Sequence, residues 1–283
     1  MRLTILTPAP DEPRFASVAQ DWLARLARAL EPQGVNVAAC PWTACAGAGD
    51  ADGVSPLLAW GYHQKPRAWR ALLDRLAEAE VPVVNPAATL AWNTRKTYLA
   101  ELEAQGAPIV PTLFVERLDA EAVAQAHDRF GADIIAKPQV SGGSFQTLRL
   151  APGAALADAP DGPAMLQPFL AAVTGEGELS LVYFNGAFSH AVSKRAAAGD
   201  FRVQVQHGGL YAPLVAPPEA LAAAEAVLAA TGRRLVYARV DLIRDAAGAL
   251  KLMELEAIEP DLYLEHAPDS GAAFARAMLW ALD

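Results

Sequence analysis

The chain has little cysteine, histidine or lysine, and each shortage closes off a class of protein. Two cysteines in 283 residues, Cys40 and Cys45, cannot build a disulfide framework, and their Gly/Ala-rich setting reads as a pair of free thiols. The five histidines (His63, His127, His190, His207 and His266) are scattered, without the spacing of a zinc site. No run approaches the roughly 20 apolar residues that a membrane-spanning helix needs. Residues 1–8 carry one strand's worth of apolar side chains, too short for a secretory signal. A GxGxxG fingerprint is missing, which removes support for a dinucleotide-binding unit. No Ser/His/Asp or Cys/His arrangement marks a covalent nucleophile. With 32 acidic and 23 basic residues the formal net charge is -9, which disfavours non-specific binding to nucleic acid or an anionic membrane. A cytoplasmic protein is the expectation. Five of the basic residues are lysine: Lys65, Lys96, Lys137, Lys194 and Lys251. Surface positive charge therefore falls to arginine, and a lysine here marks a place that needs a compact ammonium.

What remains is an ordinary globular composition, 53% hydrophobic with 20 glycines, long enough for a large core in two or three subdomains. The first third alternates strand and helix. Residues 3–6 read as a strand, and residues 14–30 as a helix with Phe15, Val18, Trp22, Leu26 and Leu30 on one stripe. Residues 35–39 form a second strand. After a Gly/Ala loop and the apolar run 56–60 comes a helix burying Trp69, Leu72, Leu73 and Leu76, and residues 81–84 return to strand. That rhythm implies a small parallel sheet with helices on its faces. A helix over 94–106, a strand over 112–115, a helix from the Asp119 cap to Phe130 and a strand over 132–137 follow. Beyond residue 140 the texture becomes β-hairpins, with strands at 145–150, 165–169, 178–184, 187–194 and 201–206. Asn185-Gly186 is the strongest hairpin signal. Residues 219–230 and 271–282 read as helices, and the six tryptophans as core.

The chemistry concentrates near the end. Two runs, 236–243 and 250–256, flank a turn containing Gly248, and alternation puts Arg239 and Asp241 on one face of the first and Glu254 and Glu256 on one face of the second. Paired as a hairpin they bring three carboxylates and a guanidinium to one patch. Among apolar neighbours those carboxylates call for a cation, and hard oxygen ligands favour Mg²⁺; a solvated acidic edge is the alternative. Upstream, Lys137-Pro138 closes an apolar strand and Ser141-Gly142-Gly143-Ser144 follows at once, small residues whose N–H groups can converge on a phosphate. Gln167-Pro168-Phe169 leaves a strand before a glycine loop and could offer backbone groups to an adenine edge, with Glu178 facing ribose hydroxyls.

Taken in order, Lys96, Lys137 with its Ser141–Ser144 loop, Gln167–Phe169, Glu178, Lys194, Arg202, Arg239, Asp241, Glu254 and Glu256 resemble the motif series of the ATP-grasp superfamily, in its glutathione-synthetase-like branch. Tyr62-His63, residues 86–98, 175–194, 199–209 and 254–263 look like the subgroup that contains the D-cycloserine-forming cyclo-ligase. The resemblance implies an α/β (α+β) ATP-grasp architecture: residues 1–85 as a preATP-grasp βαβ domain, 86–168 as the N-lobe with the glycine loop, and 169–283 as the C-lobe with the metal carboxylates. It implies ATP and Mg²⁺, the metal on Asp241, Glu254 and Glu256. Lys96, Lys137, Ser141, Gly142, Gly143, Ser144, Gln167, Pro168, Phe169, Glu178 and Lys194 would hold the nucleotide. Arg202 and Arg239 would act on the transferring group and an acylphosphate. Small carboxylate and amine substrates are implied, with no nucleic-acid or membrane partner and a homodimer left open. Where the superfamily commonly has Glu-x-Asn, this chain has Glu254-Leu255-Glu256. A kinase-like phosphotransferase, a non-catalytic nucleotide-binding regulator and a Mg²⁺-dependent hydrolase are the alternatives. The loop at Tyr62-His63, Arg202 and Glu259-Pro260-Asp261 are expected to frame the acceptor pocket.

Overall fold

The structure, a computed structural model, describes residues 1–47, 49–131, 133–156 and 159–282. Three sheets build it. In the first, β1 (Arg2–Thr7) lies between β2 (Asn36–Pro41) and β3 (Gly53–Ser55), parallel to both, with α1 (Pro13–Leu30) crossing from β1 to β2 and α2 (Pro66–Glu78) following β3. α2 buries Trp69, Leu72, Leu73 and Leu76, as its spacing predicts. α1 is different: Leu26 and Leu30 enter the core, but Val18 is 46% exposed and faces the central cleft. The strand expected at 81–84 shrinks to one bridge between Val83 and Val54. Asn85 takes over there. It is fully buried, its amide donates to the carbonyls of Tyr237 and Ala257 at 2.9 Å, and its Oδ1 accepts from Val236 N at 2.6 Å.

The second unit starts with α3 (Ala87–Thr94) and α4 (Tyr98–Ala104), then β4 (Leu113–Val115), α5 (Ala120–Phe130), β5 (Ile134–Pro138), β6 (Leu148–Leu150) and β7 (Ala164–Pro168). Its sheet runs β4-β7-β5-β6, all antiparallel. Asp119 caps α5 by accepting from Ala122 N at 2.9 Å. The single helix expected over 94–106 is broken, because Arg95 is extended (φ −106°, ψ 121°) and the Lys96 N–H donates to Gln139 O at 2.7 Å. That break turns the Lys96 side chain inward. The strand expected at 145–150 forms only as β6, since Ser144 and Gln146 adopt left-handed φ values of 61° and 49°; the expected start of β5 at Ala132 lies outside the described residues.

The third sheet has the order β10-β9-β8-β11-β12, formed by β8 (Glu178–Phe184), β9 (Ala187–Arg195), β10 (Leu210–Leu214), β11 (Tyr237–Arg244) and β12 (Leu250–Glu256), with α6 (Pro218–Ala230) after β10 and α7 (Ala272–Leu282) at the end. Asn185 and Gly186 link β8 and β9 with φ of 49° and 77°, the positive pair that a tight hairpin turn requires. Residues 201–206 are not a strand. Asp200 Oδ1 accepts the N–H groups of Phe201 and Arg202, and the chain folds so tightly that a Cβ at Gly209 would lie 1.8 Å from Val203 O. The edge strand forms later as β10, with Pro213 where a missing N–H is tolerated. Trp280 is 40% exposed, against the expectation that every tryptophan is core, and Arg234 lies over its ring. His190 is a satisfied sheet histidine, Nε2 on Leu262 O and Nδ1 on Ser189 Oγ, each at 2.9 Å.

The outer edge of β12 is met by only a one-residue parallel bridge, Leu252 to Ile109, and side chains satisfy the polar groups beyond it. Tyr98 Oη donates to Leu255 O and accepts from Leu255 N, both at 3.0 Å, and Asn93 bonds Leu255 O and Ala257 N at 2.9 Å. Side chains from the α3–α4 segment thus serve as a surrogate strand, and they fix the residue between Glu254 and Glu256. Tyr98→Phe strips a buried edge of two hydrogen bonds and is expected to cost about 1–3 kcal/mol in urea denaturation. A loss below about 0.5 kcal/mol would show that water replaces the hydroxyl.

Candidate active site

The five-stranded sheet places charge by register. Glu178 on β8 is opposite Lys194 on β9, Ser180 is opposite Asp241 on β11, and Asp241 and Arg239 are opposite Glu254 and Glu256 on β12. All of them point to one face. Lys194 Nζ sits 2.9 Å from both Asp241 Oδ2 and Glu178 Oε2. Arg239 holds Asp241 through Nε at 3.0 Å and Nη2 at 2.9 Å, and its Nη2 also pairs with Glu256. Ser180 Oγ adds a bond to Asp241 at 2.6 Å. Lys96, from the α3–α4 break, pairs with Glu254. Such buried charges persist only because each has an opposite charge and a hydrogen bond.

A cavity of about 980 Å³ covers this face, and the Lys137 face of the second sheet forms its other wall. Ile135, Lys137 and Gln167 share that wall through the β5–β7 register. Lys137 is only 8% exposed and meets no carboxylate at ion-pair distance among the described residues. The Ser141–Ser144 loop overhangs the cavity. Gly143 and Ser144 have φ of 57° and 61°, Ser141 Oγ donates to Phe145 O, and Gln206 Nε2 donates to Gly143 O at 3.1 Å. At one end Val110, Val173, Ile243, Phe169 and Met253 make an apolar slot. Gln167 is 3% exposed, its Nε2 on Thr112 Oγ1 at 2.9 Å, and the Phe169 N–H is bonded to Asp133 O. Phe169 therefore offers the cavity its ring and not its N–H, and Arg149 lies 3.7 Å above that ring.

Two sequence expectations change in detail. Arg202 lines the cavity, but its fork is taken by Asp200, Nη2 to Oδ2 at 2.7 Å and Nε to Oδ1 at 3.0 Å. Glu178 and Lys194 face each other before any ligand, so the cleft is assembled as a compensated network. Sequence reasoning passed over Ser180, Asn93, Tyr98, Gln139, Asp200 and Gln206. Ser180 alone carried a signal, two positions from Glu178 on the same strand face. Asp200 acts on the next two residues, and the others act across long separations that periodicity cannot see.

The electrostatics follow from this packing. Burial opposes ionisation of Asp241, yet Arg239 and Lys194 hold its carboxyl well below the usual range. Burial works against the Glu254 carboxylate too, and Lys96 and Lys137 keep it below its ordinary value. Glu256 goes the other way: burial, then Glu254 and Asp241, outweigh Arg239 and push it up to about 7. Burial brings Lys137 down to about 8. No trio of His, Cys, Asp or Glu side chains is already arranged as a metal cage among the described residues, because the carboxylates are turned onto Lys96, Lys194 and Arg239. The donor set still fits Mg²⁺, with hard carboxylate oxygens and Asp241 directly across the ladder from Glu254.

The mixed α+β architecture and its likeness to the proteins that follow make the chain an ATP-grasp ligase. Within that class it resembles D-cycloserine synthetase. Residues 4–85 match the family model for the N-terminal domain of D-cycloserine synthetase DcsG. The cycloserine biosynthesis protein DcsG of Streptomyces lavendulae is 28% identical over 245 residues, covering 77% of this chain and 79% of that protein. The crystal structure of D-cycloserine synthetase DcsG superposes with a TM-score of 0.82 at 25% identity, covering all of both chains. D-alanine–D-alanine ligase from Bacillus anthracis shares the fold at TM-score 0.72 and 14% identity, over 100% of this chain and 97% of that one. No helix among the described residues is long and apolar enough to cross a membrane.

Lys137 gives a test of the cleft that needs no substrate. With a folded pKa of about 8 against about 10.4 unfolded, its buried ammonium costs on the order of 3 kcal/mol below pH 8. The unfolded chain holds more protons between the two values, so this cost shrinks as pH rises through that window. Ligand-free Lys137→Met is expected to melt above the wild type at pH 7, the gap narrowing towards pH 10. A variant that melts lower throughout would mean that Lys137 has a stabilising partner.

Proposed function

We propose that this ATP-grasp ligase uses ATP and Mg²⁺ to activate a small amino-acid-like carboxylate as an acylphosphate, which an amine or related nucleophile then opens. The observation that carries the reading is the apposition, across one cavity, of Lys137 and the Ser141–Ser144 loop with the Asp241–Glu254–Glu256 hairpin. The apolar slot at Val110, Ile243, Phe169 and Met253 suits an adenine, and Lys96 and Lys137 lie where they can neutralise phosphates. Asp241, Glu254 and Glu256 would hold Mg²⁺, which when bound screens the charge of the phosphoryl oxygens. The substrate carboxylate attacks the γ-phosphorus, ADP leaves, and the nucleophile displaces inorganic phosphate from the acyl carbon. Lys137 stabilises the charge that shifts onto ADP; Arg239 keeps Asp241 ionised and holds Asp241 and Glu256 in place; Arg202, by exchanging Asp200 for the acyl group or the phosphate, can bind either with a two-pronged fork. The names of the relatives point to D-amino acids, so the substrate is drawn from that class.

Release of ADP and phosphate over a panel of D- and L-amino acids, including D-alanine and D-serine, is the direct assay. Glu254→Gln keeps shape and removes a ligand charge, and is expected to lower turnover at least about 100-fold with the fold retained by circular dichroism and a lower melting temperature, since Lys96 loses its counter-charge. Activity within a few-fold of wild type would take the metal away from this hairpin.

Calorimetry with a non-hydrolysable ATP analogue is expected to show binding that weakens about tenfold or more without Mg²⁺, and again with Lys137→Met, each loss corresponding to roughly one charged contact. Binding indifferent to both would remove the nucleotide from this cleft.

A further inference from the structure

Behind the wall of the cavity lies one contact that the ligase reading leaves unused. Phe169 lines the cavity and packs on the apolar slot of Val110, Val173 and Ile243. Arg149 is not among the lining residues, yet its guanidinium carbon lies 3.7 Å from the centroid of the Phe169 ring. At that distance the cation must sit over the ring face, since an approach in the ring plane would meet the edge atoms first. The ring thus stands between a guanidinium and the slot. Phe201 meets the same ring edge-on, at 6.3 Å and 82°.

Strand order builds this contact. Arg149 on β6 is opposite Ile135 on β5, and β5 pairs on its other side with β7, which ends at Pro168, one residue before the ring. Opposite residues share a face, so Arg149 leaves the sheet on the side of Ile135, which lines the cavity, and crosses β5 to reach Phe169. That crossing is two inter-strand steps of roughly 4.8 Å each, a span that calls for a long side chain. Asp133 ties both members down: its backbone carbonyl accepts the Phe169 N–H at 3.0 Å, and its carboxylate accepts from Arg149 Nη2 at 2.5 Å. The Arg149 and Asp133 side chains are 42% and 36% exposed, so the ion pair adds little stability, and what it supplies is orientation. A cation on one face of an aromatic ring also draws electron density towards itself, which suits the opposite face to an electron-rich flat base.

We propose that Arg149 is a positioning residue for the nucleotide: pinned by Asp133, it holds the Phe169 ring against the apolar slot and so sets how tightly the base is gripped, without touching the base itself. This deepens the ligase reading and rests on it for placing the nucleotide in this cavity. The ring is the contact that Arg149 can control, because the Phe169 N–H is already spent on Asp133.

The test is a double-mutant cycle on the full chain, with binding of a non-hydrolysable ATP analogue and Mg²⁺ read by calorimetry and the fold of each variant checked by circular dichroism. Arg149→Ala is expected to weaken the analogue about 3- to 10-fold, the loss of one cation–π support. Phe169→Ala should weaken it at least as much. In the Phe169→Ala background, Arg149→Ala should then change affinity by less than about twofold, because its effect passes through the ring. A role of Arg149 in the general stability of the lobe would instead give losses that add. Arg149→Lys keeps the pair with Asp133 but not the flat stack, and should lose an amount comparable to Arg149→Ala. Additive losses in the double variant, no loss in Arg149→Ala, or full affinity in Arg149→Lys would overturn the role of Arg149 and leave the nucleotide in the cavity. A wild type that binds no analogue would overturn both the positioning role and the nucleotide reading beneath it.

Discussion

Charge compensation across one sheet face is the constraint on which the rest of the molecule depends. Lys194 between Glu178 and Asp241, and Arg239 between Asp241 and Glu256, are almost wholly buried, and none of these charges could stay in the interior alone. Their positions are set by strand register, since residues two apart share a face and direct partners lie opposite. A slip of one residue in β11 would send Arg239 and Asp241 into the apolar layer beneath, where Leu181, Val240 and Leu242 pack. The same bonds that make the cleft polar thus fix the pairing of the sheet. Fold specificity and ligand chemistry share their residues here.

The supports of that face lie far away in sequence. Beyond its bridge to Ile109, the outer edge of β12 is closed by Asn93 and Tyr98, and Asn85 ties the entry of β11 to the end of β12. Each of these side chains bonds backbone more than 140 positions away. They couple the helical segment that carries Lys96 to the hairpin that carries Glu254, so the Lys96–Glu254 pair is held from both sides. Lys137 belongs to a different sheet and has no such partner. A network that is complete on one wall and has an unpaired ammonium on the other is what a cleft awaiting a polyanion requires, because the unpaired charge is answered only when the ligand arrives.

Much of this was legible in the residues themselves. The shortage of lysine drew attention to Lys96, Lys137 and Lys194, all three of which line the cavity. Alternation placed Arg239 with Asp241 and Glu254 with Glu256, and Asn185-Gly186 marked its hairpin. Short-range patterns failed where a long-range bond outweighed them. The helix over 94–106 breaks because Lys96 N is claimed by Gln139, and the strand at 81–84 gives way to the buried Asn85; residues 201–206 fail for a local reason, the Asp200 carboxylate capturing the next two N–H groups.

By itself, then, the sequence determined which residue types could carry the chemistry and on which face of a strand each would stand, because periodicity and the ordering of motifs are local properties of the chain. Only the tertiary structure decided which charges neutralise one another, that the Arg202 fork is taken by Asp200, and that His63 and Glu259, nearly two hundred residues apart, meet at the missing side chain of Gly142. Those are matters of distance and burial, and both arise only when remote segments pack together.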